Sequence, residues 1–132
     1  MFTSLLTGPD VAVRFPFALH GTSTLNDLAE IRGHELRYLK EPQPRQTIET
    51  DLDGSGAGSG DYDTRVENRN TGAGVRQTSD RPTSKLHLWS IRTTVCPEAF
   101  IDLRIERGKD ASWRIAYEFY ALPAATRTAA PE

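Results

Sequence analysis

The feature that most constrains the fold is a strict alternation of apolar and polar residues near the C-terminus. In "AFIDLRIER", Ile101, Leu103 and Ile105 alternate with Asp102, Arg104 and Glu106. "SWRIAYEFY" repeats the period, with Trp113, Ile115, Tyr117 and Phe119 on one side and Arg114, Ala116, Glu118 and Tyr120 on the other. A period of two sends alternate side chains to opposite faces of a strand, so each stretch reads as a half-buried strand. The "RGKDA" between them supplies Gly and Asp where a tight turn needs them, which predicts a β-hairpin from Phe100 to Ala121.

Upstream, "KLHLWSIRTTV" places Leu86 and Leu88 on one face and His87, Trp89 and Ile91 on the other. Apolar groups on both faces predict a central or sandwiched strand, with Pro97 breaking the chain before the hairpin, so that the three strands form a meander. "VAVRFPFAL" reads as a strand interrupted at Pro16, and "HELRYL" and "RQTIET" as short strands separated by the two prolines of "KEPQPR". One helix is predicted, over "STLNDLAEIRG". Ser23 or Thr24 caps it, Asp27 sits in its first turn, Leu25, Leu28 and Ile31 share a face, and Gly33 ends it.

The expected fold class is therefore mainly β: an antiparallel β-sandwich-like sheet with one short helix and a long polar loop, in a single domain spanning residues 1–132. The predicted core is Val13, Phe15, Leu28, Leu88, Ile101, Leu103, Ile105, Trp113, Ile115, Tyr117 and Phe119. From Asp51 to Ser84 hydrophobicity collapses, and only Leu52, Val66 and Val75 are branched aliphatics. Two readings fit that stretch: a flexible insertion, or two extended polar arms, "YDTRVENRN" and "VRQTSDR", joined by "TGAG". The tail from residue 124 to 132 is expected to fray.

The stretch "DLDGSGAGSGDYD", Asp51 to Asp63, begins like an EF-hand loop, with Asp51, Asp53, Ser55 and Gly56 at the first ligand and turn positions. It fails at the closing position, where Tyr62 stands in place of a bidentate Glu. Four glycines at alternate positions favour a solvated connection, and no metal site or cofactor is expected.

Sixteen basic against eighteen acidic side chains leave a net charge of −2, too little field to hold a polyanion, so nucleic acid is not an expected partner. No apolar run approaches the ~18 residues that span a bilayer, so no membrane association is expected either. Cys96 is the single cysteine, which excludes an intrachain disulfide and fits a reducing compartment; the expected location is cytoplasmic. Cys96 reads as an inert, part-buried thiol. His20, His34 and His87 have no metal-ligand spacing, and the sequence has neither a nucleophile elbow nor a phosphate-binding loop. Glu98, in "TTVCPEAF", is the one candidate general base, because a carboxylate at a strand break sits where a concave sheet end meets solvent.

The segment "VCPEAFIDLRIERGKDASWRIAYEFY", Val95 to Tyr120, resembles the closing strands of the aldose 1-epimerase (galactose mutarotase-like) superfamily. That resemblance implies a β-sandwich with a sugar cleft and a catalytic role for Glu98 as base at the sugar C1 hydroxyl. The family's histidine motif for the acid has no counterpart, so no complete catalytic set is visible. Two functional expectations follow. One is a carbohydrate-binding module using Trp89, Trp113 or Tyr117 as apolar platforms and Arg92, Glu98 or Arg114 as hydrogen-bonding groups. The other is a non-catalytic assembly or interaction subunit, of the phage, virion or secretion-apparatus kind, that binds another protein chain or forms a homo-oligomer through exposed strand edges and the polar arm.

Overall fold

The computed structural model describes residues 2–3, 7–21, 25–56 and 58–123, with the backbone alone for Phe2, Thr3, Gly21 and Ser55. Within them the chain forms strands only: β1 (Phe2–Thr3), β2 (Val11–Arg14), β3 (Ala18–Gly21), β4 (Ala29–Arg32), β5 (Glu35–Tyr38), β6 (Ile48–Ser55), β7 (Asp63–Asn68), β8 (Ala73–Ser79), β9 (Lys85–Ile91), β10 (Thr94–Phe100) and β11 (Ile115–Ala121). They make two sheets with antiparallel pairings, sheet A in the order β1-β10-β9-β6-β3 and sheet B in the order β11-β8-β7-β2-β5-β4.

One buried cluster draws on both sheets. Val11, Val13, Leu36 and Tyr38 come from sheet B, and Leu19, Ile48, Leu52, Leu86, Leu88 and Val95 from sheet A. The Tyr38 hydroxyl crosses between them, donating to Ser90 Oγ at 2.7 Å, while Ser90 Oγ donates to the Thr94 carbonyl at 2.8 Å. Burial pushes the Tyr38 phenol above its ordinary range, so it remains a donor.

The chain passes from one sheet to the other at Pro16, where the interrupted strand was expected. β2 belongs to sheet B and β3 to sheet A, and buried Phe15 and Phe17 flank the exposed proline with ring centroids 5.8 Å apart. Another crossing, from β6 in sheet A to β7 in sheet B, is the Asp/Gly-rich stretch. Asp51 to Ser55 complete β6, the Asp61 N–H closes a turn onto the Gly58 carbonyl at 2.9 Å, and Asp63 opens β7. Gly54 is required there, since a Cβ would stand 2.5 Å from the Phe17 ring. Between Asp51 and Ser84 the reading as extended polar arms fits: β7 and β8 are neighbours in sheet B, though the turn between them is residues 69–72, and Ala73 and Gly74 of "TGAG" already belong to β8. The 124–132 tail lies outside the described residues.

Three expectations are corrected. The helix is replaced by a turn and β4: Asn26 and Asp27 adopt left-handed backbone (φ 54° and 56°), which an α-helix excludes, and Gly33 (φ 59°) turns the β4–β5 hairpin instead of ending a helix. Ser23 and Thr24, the expected caps, lie outside the described residues. Pro97 does not break the chain but pairs with Leu88 inside β10. Among the described residues β1 pairs only with Thr94 and Val95, so Pro97 stands on an edge there, where a missing N–H is tolerated. The Phe100–Ala121 hairpin does not form, and the meander ends at two strands. β10 already extends to Phe100, residues 101–114 form a connection, and β11 pairs with β8 of the other sheet.

The predicted core divides along the same line. Val13, Phe15, Leu28 and Leu88 are buried, whereas Ile101, Leu103 and Ile115 are half-buried and Ile105, Trp113, Tyr117 and Phe119 are exposed. The alternation was read as burial because one face of a strand is usually covered; here the covering layer stops short.

Candidate functional site

Two surfaces concentrate the side chains that the sequence singled out. The first is the outer face of sheet A. Strand alternation buries Leu86, Leu88 and Ser90 of β9 and turns His87 and Trp89 outward. The register then sets Asp51 and Glu98 opposite His87, and Glu49 and Cys96 opposite Trp89.

His87 is clamped from both sides. With both ring nitrogens protonated, Nδ1–H donates to Asp51 Oδ1 at 2.7 Å and Nε2–H to Glu49 Oε1 at 3.2 Å. The Asp51 hydrogen bond, with help from Glu49 and the nearby Glu98, raises the His87 pKa above its ordinary value despite partial desolvation. The same bond, with Lys85 Nζ at 3.4 Å, lowers that of Asp51. In that doubly protonated form the ring has no lone pair to accept a proton, and the cluster holds charge in place. Beside it, the Cys96 thiol donates to Glu98 Oε1 at 3.4 Å, and burial followed by that bond raises the thiol pKa. Cys96 is thus held as a thiol, the inert form.

The five sequence-predicted site residues do not converge. Glu98 and Trp89 share this outer face, on adjacent strands. Arg92 lies in the β9–β10 turn, its Nε–H donating to Glu41 Oε1 at 2.6 Å. Trp113 and Arg114 lead into β11, in sheet B, and among the described residues no hydrogen bond or ion pair joins them to Glu98. A depression lined by Arg14, Phe15, Pro16, Asp63 and Arg65, and a shallower one between Gly60–Asp63 and Thr78–Pro82, lie away from Glu98 and Trp89. Glu98 stands inside β10 and not at a strand break, with six flanking strand residues.

The second surface is the β11 end of sheet B. Directly opposed residues share a face, and Leu36, Val13, Val66, Val75 and Phe119 form one row across β5, β2, β7, β8 and β11. Leu36 and Val13 are fully buried at one end of that row, but Phe119 is 78% exposed at the other. Tyr117, opposite buried Gln77, is 51% exposed, and Trp113, just before the strand, is 48% exposed. The core-facing side of sheet B therefore runs out from under its cover at β11 and presents aromatics to solvent.

On the opposite face of β11, Tyr120 lies over Gly74, where a Cβ would meet its ring at 2.5 Å, and its hydroxyl donates to Glu67 Oε1 at 2.8 Å. Burial and that carboxylate push the phenol up to about 12. This clasp fixes β11 to sheet B even though little of the strand is buried. Sequence reasoning missed both the His87 clamp and the open row. Each depends on which distant strands are neighbours, which no local pattern encodes.

Comparison with protein-family models, with curated proteins and with solved structures finds no match for the chain.

Proposed function

We propose that this chain is an interaction subunit: a two-sheet, sandwich-like module that joins a protein neighbour by adding a strand beside β11. The supporting observation is the row from Leu36 to Phe119, one face that is core at one end and exposed aromatic surface at the other. Exposed apolar surface on an edge strand is what β-augmentation uses, main-chain bonds giving affinity and alternate side chains giving specificity. Hydrogen exchange tests the reading. The β11 amides should exchange slowly in the assembled protein and quickly after dilution, and Phe119→Lys should hold them in the fast regime without lowering the melting temperature. Equal, fast exchange in all of these states would defeat the proposal.

A second reading keeps the carbohydrate expectation, favoured by the shared outward placement of Trp89 and Glu98. An indole with a carboxylate one row away offers a sugar both a C–H platform and a hydroxyl acceptor. Titration with aldohexoses should then shift the Trp89 indole resonance in the wild type and not in Glu98→Gln; no shift in either would remove this reading.

A further inference from the structure

We infer that the partner strand at β11 is β11 of a second copy of this chain, paired antiparallel about a two-fold axis through Ala116. This rests on the interaction reading above and specifies its partner. The first argument is backbone phase. The Asp80 N–H donates to the Arg114 carbonyl at 3.2 Å, and the Leu122 N–H to the Gly72 carbonyl at 2.9 Å; both pairs extend the β8–β11 register. Backbone groups alternate along a strand, so the even-numbered residues of β11 turn their peptide groups to β8, and Ile115, Tyr117 and Phe119 turn theirs to the outer edge of the sheet.

The second argument is side-chain complementarity. With Ala116 on the axis, Ile115 faces Tyr117 of the second copy, and Trp113 faces Phe119. All four of these positions are odd-numbered, so the pairing is in phase and collects the exposed aromatics on one face. On the other face Arg114 falls opposite Glu118, twice per dimer. Moving the axis to Arg114 or Glu118 sets like charges against each other, and moving it to Ile115 or Tyr117 leaves both charges opposite uncharged residues. The Ala116 register alone matches opposite charges.

Within one chain Glu118 has only a long ion pair, and the Arg114 side chain is left to solvent. Glu118 is 67% exposed and lies 4.0 Å from Arg76, whose guanidinium already holds Asp63 through two bonds of 2.7 and 2.9 Å. Arg114 uses its backbone, not its side chain, to bind Asp80. An isologous interface of this kind would join two six-stranded sheets into one.

The test combines sedimentation with cysteine trapping in a Cys96→Ser background. The chain should sediment at twice 14.7 kDa at micromolar concentrations. Ala116→Cys should form an intermolecular disulfide, because non-hydrogen-bonded residues on a two-fold axis bring Cα atoms to about 4.5 Å, whereas Ile115→Cys and Tyr117→Cys alone should not. Arg114→Glu should weaken the dimer about tenfold or more, since the mismatch occurs twice, and the swap Arg114→Glu with Glu118→Arg should restore it. Restoration also shows that the single variant had not simply misfolded. A dimer insensitive to Arg114→Glu and not trapped through Ala116 would overturn the inference. A monomer whose β11 amides are protected only by a different protein would overturn self-pairing and leave the interaction reading standing, and a monomer with fast-exchanging β11 amides throughout would overturn both.

Discussion

The row that crosses sheet B compares a chain with itself. Val13 and Phe119 occupy the same face of the same sheet, and the alternating pattern around each is equally regular, yet one is fully buried and the other 78% exposed. Alternation therefore specifies a strand and its two faces, while burial is decided by whether a second layer reaches that far.

The largest expected effect breaks the comparison at its covered end. Leu36→Ala should cost about 2–5 kcal/mol in denaturant unfolding, the usual range for a fully buried leucine, whereas Phe119→Ala in dilute solution should stay within about 0.5 kcal/mol. A comparable loss at both positions would mean that Phe119 is covered within the single chain. Next come two glycines that carry the same steric problem. A Cβ at Gly54 would stand 2.5 Å from Phe17, and one at Gly74 would stand 2.5 Å from Tyr120. Phe17 is locked in the core, so Gly54→Ala should cost about 1–3 kcal/mol. Tyr120 can swing outward, so Gly74→Ala should cost no more than about 1.5 kcal/mol, the worth of the released bond to Glu67, and should speed hydrogen exchange in β11 selectively.

Tyr38→Phe should cost about 0.5–1.5 kcal/mol by removing a hydroxyl that spans the two sheets, measured by the same unfolding experiment. The smallest effect concerns the His87 clamp. Folding raises the His87 pKa from about 6.5, so its contribution is full below that value and is lost as pH rises through the folded value. Folding lowers the Asp51 pKa from about 3.8, so its contribution is present above that value and is lost as pH falls through the folded one. The difference in melting temperature between wild type and His87→Gln should therefore be greatest between about pH 4 and 6.5 and shrink at higher pH and with added salt. A difference constant from pH 5 to 9 would show that the clamp contributes through shape alone.

Much of the fold was legible because it is local. The two alternating faces of β9 followed from "LHLWSI", the interruption at Pro16 from a single proline, and one of the two readings of the polar stretch, extended arms, matches β7 and β8. The helix expectation failed because Leu25, Leu28 and Ile31 satisfy a helical spacing equally well when a left-handed turn at Asn26 and Asp27 separates Leu25 from Leu28 and from the strand carrying Ile31. The hairpin expectation failed because two neighbouring alternating segments found partners elsewhere or none: β11 chose β8, and residues 101–105 have no strand partner. Of the expected site residues, Trp89 and Glu98 were placed together by the β9–β10 register, and Arg92, Trp113 and Arg114 were dispersed by topology.

The sheet order also has a kinetic consequence. β1 pairs with Thr94 and Val95, and β3 pairs with β6, so sheet A joins residues far apart in the sequence. During synthesis β3 must wait for β6, and β1 for β10, before either finds an antiparallel neighbour. Such distant pairings close large loops before any contact energy is returned, and refolding should accordingly occupy milliseconds to seconds, not microseconds.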